Sequence, residues 1–473
     1  MGKKNKLSHL EELLTHPAVV ALKKGVAGTR YEGQLWLVGG CVRDALLGKG
    51  VSNDLDIVIE GDAIELARWI FESSLSTIFP VEYPRFGTAL VRIASTDVEL
   101  VGARAESYDP DSRKPDVAPA NLLQDMRRRD FTCNALILNI STGEVGDLLG
   151  SGVDDLRAGV LRTPLDPDQT FIDDPLRMLR AVRFRVQLGF DYADHLVTSI
   201  RDNGPRLEII SKERIQQELS KMIVKPGAEA GFRDLLEFGL LPYIAPELER
   251  MVGVEQGKYH FLDVWEHSLL VLKNAYPCDV TLGWAALLHD VGKPETRTID
   301  ENGNTRFFNH ENVGAAMAAR ILTRLKYPNK ETQDVHSLVR NHMRLGSSPS
   351  FSSTAARRLV RDMGDLLEPL LRLVDADIRA LKKDLLVMDL EKIREKILEV
   401  RTITPPEKLA SPLNGEEVMA ATGWAPGKLV GEALHYLSEC VIEGQLNFDD
   451  KGKALSILLD YKVKIETESV ESQ

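Results

Sequence analysis

The chain has 473 residues, with 59 Lys plus Arg against 71 Asp plus Glu and a formal net charge of −12. Hydrophobic residues make up 43% and charged residues 27%, a globular balance that excludes a largely disordered chain. The length predicts about three domains, and the acidic total argues against indiscriminate coating of a polyanion while allowing a local basic groove.

Residues 7–27 read as a helix, with apolar Leu7, Leu10, Leu14, Val19, Val20 and Leu22. Short β-rich runs follow at Leu35–Val38, Leu55–Ile59, Ala89–Ile93, Asp97–Val101 and Ala135–Ile140, punctuated by Gly, Asp or Pro. The stretch Ala63–Phe71 between them is helical in pattern. These elements predict a mixed α/β head of about 150 residues, in line with common domain sizes. From about residue 173 the strands are expected to stop, and Glu213–Val224 opens a helical pattern that continues to the end. The polar tail from Val463 is expected to fray. Cys41, Cys133, Cys278 and Cys440 are far apart and form no CxxC pair, so neither a zinc ribbon nor a disulfide framework is expected. No apolar region follows the basic N-terminus, and Lys6 breaks the myristoylation pattern. No window holds ~18 apolar residues. These features predict no membrane partner and a reducing, cytoplasmic compartment.

The first chemical signal lies in Leu37-Val-Gly-Gly-Cys-Val-Arg-Asp-Ala-Leu-Leu-Gly48, a strand entering a helix through a Gly-Gly turn. Two glycines let backbone N–H groups approach a ligand, and a helix N-terminus favours an anion such as a triphosphate. Alone, this is an ordinary tight turn. Next comes Asn53-Asp-Leu-Asp-Ile-Val-Ile59. Alternate residues of a strand share a face, so Leu55, Ile57 and Ile59 fit a core while Asp54 and Asp56 point the other way. That places two like charges about 7 Å apart, which a hard divalent ion such as Mg²⁺ would compensate. Asp97 or Glu99, on the strand Asp97–Val101, offers a third carboxylate. An exposed strand end is the plainer reading of Asp54 and Asp56 alone. Beside a phosphate-binding turn, metal ligation outweighs it. Paired oxygen-bound metals suit nucleotidyl transfer: attack of a 3′-hydroxyl on an α-phosphate with loss of pyrophosphate.

The segment Leu37–Asp44 with Asp54-Leu-Asp56 resembles the opening motif of the class II tRNA nucleotidyltransferase (CCA-adding enzyme) and bacterial poly(A) polymerase family. Arg128-Arg-Asp-Phe-Thr-Cys-Asn-Ala-Leu136 resembles its second motif, Asp173-Asp-Pro-Leu-Arg-Met-Leu-Arg180 its nucleotide-selecting motif, and Glu213-Arg-Ile-Gln-Gln-Glu-Leu219 the next. They occur in the family's order over residues 35–225. The resemblance implies an α+β fold: a small mixed-sheet nucleotidyltransferase head (a polymerase-beta-like palm), then an all-helical neck and body, an HD domain and C-terminal helices. It implies that Asp54 and Asp56 are catalytic and hold Mg²⁺, and that Gly39, Gly40 and Arg43 lie near the triphosphate; Glu99 is added as the third catalytic carboxylate from its strand position, with Asp97 as the alternative. It places Arg129, Asp130 and Asn134 near the incoming ribose and phosphates. It assigns base selection to Asp174 and Arg177, with Arg180 in support.

From the residues alone, Arg127–Arg129 would be a solvated basic run. Asp174 before Pro175 would be a good helix N-cap. Asp174 and Arg177 also stand three apart, on one face if helical. A carboxylate accepts from the exocyclic amine of cytosine or adenine, and an arginine donates to the acceptor edge. Such a pair takes C and A and refuses U and G without a template.

Six of the ten histidines fall between His260 and His342. Trp265-Glu-His-Ser268, Leu287-Leu-His-Asp-Val-Gly-Lys293 and Asp375-Ala-Asp377 resemble the HD superfamily of metal-dependent phosphohydrolases. The resemblance implies metal ligands His267, His289, Asp290 and Asp377, with Asp377 chosen over Asp375 by motif position only; His310 and His342 are candidates to complete a second metal site or to bind phosphate. Nitrogen and oxygen donors suit a divalent transition metal or Mg²⁺. His260 and His336 read as ordinary helical histidines.

The divisions expected are 1–155 (head with N-terminal helix), 156–250 (neck and body, nucleotide selection and RNA binding), 251–385 (HD domain) and 386–473 (C-terminal helical tail). The expected function is template-independent addition of C, C and A to tRNA from CTP and ATP. A poly(A) polymerase or a partial CC- or A-adding enzyme is the alternative within the family. An HD phosphohydrolase with an RNA-binding head is the alternative from another class. The segment Arg104–Gln124 is a candidate mobile loop for the switch from C to A, and oligomeric state stays open. Residues 177–225 carry ten Lys or Arg against six Asp or Glu, whereas 390–473 carry ten against fifteen. A locally basic body inside an acidic total fits a shape-selective tRNA enzyme.

Overall fold

The computed structural model describes residues 3–51, 53–107, 116–256, 261–345, 351–381, 389–403 and 409–471. The chain forms two compact units, Met1–Glu249 with Arg324–Lys326, and Arg250–Thr323 with Tyr327–Gln473.

In the first unit, the N-terminal helical stretch is two helices, α1 (Lys3–Leu14) and α2 (Pro17–Val26), rather than one. Pro17 causes the break: it lacks an N–H, and it holds His16 in an extended conformation while serving well as a first helical residue. The head then runs β1 (Leu35–Val38), α3 (Gly40–Leu47), β2 (Leu55–Ile59), α4 (Ala63–Glu72), β3 (Val81–Tyr83), β4 (Thr88–Ile93) and β5 (Thr96–Gly102). It continues with a hairpin of β6 (Arg104–Ser107) and β7 (Asp116–Pro119), then α5 (Leu122–Arg127), β8 (Ile137–Asn139) and β9 (Val145–Gly146). The hairpin occupies part of the segment expected to be a mobile loop; its tip, 108–115, lies outside the described residues. The last predicted strand is shorter than expected, because Thr132–Asn134 forms a 3-10 turn.

The main sheet has the order β3-β4-β5-β2-β1-β8-β9. Only the β2–β5 pair within it is parallel. Its alternation is as expected: Leu55, Ile57, Ile59, Ala89, Val91 and Leu100 are buried on one face, and α4 packs against β4 and β5. On the other face Val38, Val58 and Ile137 join Ala103, Leu122, Met126 and Ala135 in a second cluster. That face is therefore covered toward β1 and β8 by α5, while Tyr83 and Val81 on β3 are 47% and 51% exposed.

The rest of this unit is mostly helical: α6 (Gly152–Ala158), α7 (Pro167–Asp173), α8 (Leu176–Leu188), α9 (Leu196–Asn203), α10 (Lys212–Ile223), α11 (Ala228–Glu237) and α12 (Leu241–Ile244). The strands do not stop at 173. A parallel two-residue pair joins β10 (Val160–Leu161) to β11 (Asp191–Tyr192), and the second unit holds the hairpin β12 (Arg297–Ile299) and β13 (Thr305–Phe307). These strands are too short to show a two-residue periodicity.

The second unit is built on α13 (Val264–Ala275), α14 (Val280–Leu288), α15 (Lys293–Thr296), α16 (His310–Arg324), α17 (Asn329–Asn341), α18 (Ser353–Met363) and α19 (Leu367–Ile378). Leu282 through Leu288 are all buried, as befits a helix apolar on every side at the centre of a bundle. Helices α20 (Leu390–Ile403), α21 (Gly415–Thr422), α22 (Lys428–Ile442) and α23 (Lys451–Glu471) complete it. The polar tail does not fray at Val463: α23 continues to Glu471, and Leu458 and Ala454 anchor its first half. No helix among the described residues is long and apolar enough to cross a membrane.

A close backbone approach seats the start of α16. Gly292 lies against it, where a Cβ would sit 2.4 Å from the His310 carbonyl oxygen and 2.6 Å from the Gly314 nitrogen. Backbone cannot give way as a side chain does. Gly292→Ala is expected to destabilise the second unit by about 1–3 kcal/mol. Gly431→Ala, mid-helix with open space around it, is expected to be neutral or stabilising. Chemical denaturation of both variants checks this; equal effects would contradict it.

Candidate active site and metal centre

The parallel register of β2 and β5 sets Asp56 directly opposite Glu99. Asp54 precedes β2 by one residue. Asp97, the other acid on β5, is exposed and held by Arg92 at 2.6 Å, so Glu99 is the acid that faces Asp56. Burial, then the nearby charges of Glu99 and Asp54, push the Asp56 carboxyl up to about 6, with Arg129 countering in part. This oxygen-only donor set fits a hard divalent cation, whose charge would favour ionised carboxylates.

On the other side of Asp56 is β1, where Val38 is its register partner. The chain then turns through Gly39, whose φ of +79° favours glycine. A Cβ there would lie 3.6 Å from Asp56 Oδ2 and 3.7 Å from Arg129 Nη1. Thus Gly39, Asp56 and Arg129 converge, and Gly40 begins α3. Arg43, one turn on, is buried. Its Nη1 donates to Asn134 Oδ1 at 2.6 Å, and its Nε and Nη2 donate to the Asp44 carboxylate.

Asn134 in turn donates to Asp130 Oδ1 at 3.0 Å, and Arg180 donates to Asp130 Oδ2 through Nε at 2.9 Å and Nη2 at 2.6 Å. Arg180 also lies 3.6 Å from Glu218, which accepts from Arg183. A hydrogen-bonded chain therefore runs from α3 through Asn134 and Asp130 to α8 and α10. The Phe184 ring sits among its three guanidiniums, 4.0 Å from Arg183, 5.2 Å from Arg43 and 5.3 Å from Arg180. Neither Phe184 nor Glu218 was expected; an aromatic inside an Arg-rich helix is the signal that could have found the first. The arginine run is not freely solvated: Arg128 and Arg129 both pair with fully buried Asp125.

Asp174 and Arg177 do not share a helix face. Asp174 has an extended backbone in the joint between α7 and α8, because the residue before a proline is driven out of the helical region. Its Oδ1 caps Leu176 N–H at 3.1 Å and its Oδ2 accepts from Arg214 at 3.1 Å. Arg177 donates to the Arg128 carbonyl. Asp173 accepts from Gln169.

The second unit gathers the predicted histidines. His267, His289 and Asp290 form one potential ligand group, and Asp290, His310 and His342 another, with Asp290 common to both. Asp377 Oδ1 lies 3.0 Å from His267 Nε2, whereas Asp375 pairs at the surface with Arg379. Of these two acids, Asp377 is the one beside the histidines. His260 lies outside the described residues, and His336 lies outside both ligand groups.

The ring orientations have a common cause. The Nδ1 atoms of His289, His310 and His342 lie 2.9, 2.8 and 2.6 Å from the carbonyl oxygens of Ala286, Phe307 and Val339. In the tautomer that donates from Nδ1, each Nε2 carries a lone pair facing Asp290, at 3.1, 3.4 and 3.8 Å. These buried Nε2 atoms make no hydrogen bond among the described residues. Lone pairs facing a carboxylate call for a cation, and the donor set fits one. Burial pushes His342 down to about 4, which keeps it neutral. Lys293 is an unanticipated member: its Nζ bonds Asp290 Oδ2 and Gln256 Oε1, both at 2.6 Å.

Asp130 ties the stability of the first unit to pH. Burial opposes its charge, but the Arg180 guanidinium and the Asn134 hydrogen bond outweigh it and hold the carboxyl well below the usual range. A depressed carboxyl contributes stability above its unfolded pKa of about 4, and that contribution is lost as pH falls through the folded value. Asp130→Asn removes an ionic partner of half-buried Arg180, which keeps Glu218 at 3.6 Å, and is expected to cost about 1.5–3 kcal/mol at pH 7, shrinking below about pH 4. Urea denaturation of wild type and variant across pH checks both size and sign.

Comparison with known proteins agrees with this geometry. Residues 35–162 match the poly A polymerase head domain, 189–252 the probable RNA and SrmB-binding site of polymerase A, and 264–398 the HD domain. The chain is 34% identical over 436 residues to the A-adding tRNA nucleotidyltransferase of Deinococcus radiodurans, covering 88% of this chain and 94% of that one. It is also 34% identical over 433 residues to the CC-adding tRNA nucleotidyltransferase of Thermus thermophilus, covering 88% and 92%. Its fold is that of the Bacillus stearothermophilus CCA-adding enzyme solved with CTP (TM-score 0.68, 22% identity, 96% of this chain and 100% of that one). On these matches, and on the carboxylate pair beside a Gly-Gly turn, the chain belongs to the tRNA nucleotidyltransferase and poly(A) polymerase family and carries an HD domain.

Proposed function

We propose that this protein adds C, C and A to the 3′ end of tRNA from CTP and ATP, without a nucleic-acid template, at the head carboxylates. The observation that carries this reading is the convergence of Asp56, Glu99, Gly39 and Arg129 in a chain of this family. Asp54, Asp56 and Glu99 would hold Mg²⁺. Bound there, the metal supplies Lewis-acid polarisation of the α-phosphate and activates the attacking hydroxyl. The backbone of Gly39 and Gly40, with Arg43 and Arg129, binds the triphosphate. Arg43 needs no reorganisation for this, since Asp44 and Asn134 already fix its plane. Asp130 and Asn134 orient the ribose.

Base choice rests on Asp174 and Arg177. The Asp174 carboxylate accepts from cytosine N4 or adenine N6, groups that are carbonyls in uracil and guanine. Arg214 and the Leu176 amide hold that carboxylate in place, and Arg180 links the reader to Asp130. The pair reads donors and acceptors, so protein replaces the template.

In the second unit, His267, His289, Asp290 and Asp377 would hold one divalent ion, a transition metal or Mg²⁺, and His310 and His342 with Asp290 a second. Hydrolysis of phosphate esters at RNA ends is the activity that fits. We assign residues 1–155 to the head, 156–250 to neck and body, 251–385 to the HD domain and 386–473 to the tail, and we place the protein in the cytoplasm.

One observation favours a second reading. Two relatives that each cover 88% of the chain share the same 34% identity but are named for A addition and for CC addition, while a third, 28% identical over 87% of the chain, is named a CCA-adding enzyme. This protein would then complete only part of CCA. Three tRNA substrates, ending at the discriminator base, at C and at CC, separate the readings when given CTP, ATP or both. Full activity extends all three to CCA. Extension of the first two to CC and no further supports a CC-adding enzyme, extension of only the CC-ended tRNA supports an A-adding enzyme, and an A-tail on generic RNA contradicts both readings. Asp54→Ala is expected to abolish addition while sparing phosphatase activity, and His289→Ala to do the reverse. Loss of both activities in either variant would refute two independent centres.

A further inference from the structure

The sheet face that carries Asp56 and Glu99 extends beyond them. In register across the sheet, Val38 pairs with Asp56, Asp56 with Glu99, Glu99 with Leu90 and Leu90 with Val81. Residues directly opposite one another in a sheet share a face. Tyr83 and Thr88, two positions along β3 and β4, join the same face. Toward β1 this face is sealed by α5. Toward β3 it opens into a cavity of about 450 Å³ lined by Tyr83, Phe86, Thr88, Leu90, Glu99 and Arg104. That is within the range of small-ligand sites, about 300–1,000 Å³. Tyr83 and Phe86 are 47% and 44% exposed. Arg104 stands at the groove, with its Nη1 on the Phe86 carbonyl at 2.6 Å and its Nε on Glu106 at 3.0 Å.

The reaction geometry says which substrate belongs there. In phosphoryl transfer the attacking and leaving oxygens lie roughly in line, on opposite sides of the phosphorus. The Gly39–Gly40 turn and Arg43 lie on the β1 side of Asp56, so the leaving pyrophosphate is on that side. The attacking 3′-hydroxyl must come from the other side, across Glu99, over β5 and β4. There the groove offers aromatic faces, an aliphatic floor and an arginine: the components of a stacking platform for single-stranded nucleic acid.

We propose that this groove is the acceptor subsite, in which the 3′-terminal base of the RNA stacks on Tyr83 and Phe86 while Glu99 faces its ribose hydroxyl. The assignment rests on the proposed nucleotide-addition activity. Tyr83 and Phe86 are positioning residues: they hold the end being extended and do not touch the phosphorus. A stacking platform is tolerant of base identity, which suits a terminus that is the discriminator base before the first addition and cytosine before the next two.

The test uses the full-length protein and tRNA lacking CCA, with the discriminator adenine replaced by its fluorescent isomer 2-aminopurine. Saturating wild-type protein, without nucleotide, is expected to quench the probe. Y83A/F86A is expected to lose that quenching while still binding the tRNA. Its KM for tRNA is expected to rise about tenfold, within the range for losing a base-stacking aromatic, and its KM for CTP to stay within about twofold. Y83F/F86Y, which keeps both rings, is expected to restore quenching and KM. No quenching by wild type would overturn the proposal whatever the variants do. Quenching that survives in Y83A/F86A, or equal increases in both KM values, would overturn it as well. If wild type adds no nucleotide to any tRNA, the underlying reading fails and takes the subsite with it. If wild type is active and only the fluorescence and KM results go the wrong way, the subsite alone is refuted.

Discussion

The parallel pairing of β2 and β5 places one carboxylate against another. Asp56 and Glu99 are register partners on the open face of the sheet, with Asp54 close enough to raise Asp56 further. Like charges opposite each other in a sheet are destabilising, so a fold selected for stability alone would not keep them. Their neighbours are arranged around that cost. Arg129 partly offsets it, Gly39 leaves room for the approach of an anion and its counter-charge, and α5 covers the adjoining half of the face with apolar side chains. The proposed substrate and metal would complete the charge balance of this centre.

The head centre and the HD centre solve related problems with different chemistry. The head offers carboxylate oxygens at a half-open sheet face, suited to an ion that shares its coordination shell with phosphates. The HD cluster is buried among helices, and backbone carbonyls fix three of its imidazoles so that their lone pairs face one aspartate. Hydrogen bonds of this kind, from the ring nitrogen away from the ion, set both the tautomer and the aim of a metal-binding histidine. Between sheet and neck helices of the first unit, the chain of Arg43, Asn134, Asp130, Arg180 and Glu218 does different work. Charges buried in series transmit position: a shift of α8 would move Asp130, Asn134 and Arg43 together. Arg43, proposed to bind the triphosphate, is thus tied to α8, the helix that carries Arg177, proposed to select the base.

Much of this was legible in the amino-acid order, and the exceptions have physical causes. Strands β1 and β2 were readable to the residue because alternation and flanking glycines agree there. The carboxylate pair followed from two-residue periodicity. Preference for Glu99 over Asp97 needed the register of a partner strand and the Arg92 ion pair, both non-local. Pro17 and Pro175 carried local signals that were underweighted: one split a helix, the other took Asp174 off the helix face and into the joint. Strands of two or three residues escaped because they span too little chain for any period to appear. The HD residues were legible only as a motif; that Asp290 is common to both ligand groups, and that Lys293 bonds it, are facts of packing. The charge asymmetry survives in sharper form, since arginines of the basic segment 177–225 are largely spent on Asp130, Glu218, Asp234 and Asp174. Its net excess is thus a weaker guide to RNA contact than the count suggested.

The central claim is that the register of β2 and β5 builds the divalent-cation centre of the head. Iron-mediated cleavage tests it most directly. With hydrogen peroxide and ascorbate added, Fe²⁺ in place of Mg²⁺ reduces peroxide to hydroxide and a hydroxyl radical that cuts the backbone near the bound ion, and ascorbate returns Fe³⁺ to Fe²⁺. The account predicts cuts close to residues 54–56 and 99 in wild type, suppressed by excess Mg²⁺ and absent in Asp56→Asn, with cuts near the HD cluster unchanged. Absence of head cleavage in wild type, or head cleavage that persists in Asp56→Asn, would contradict it.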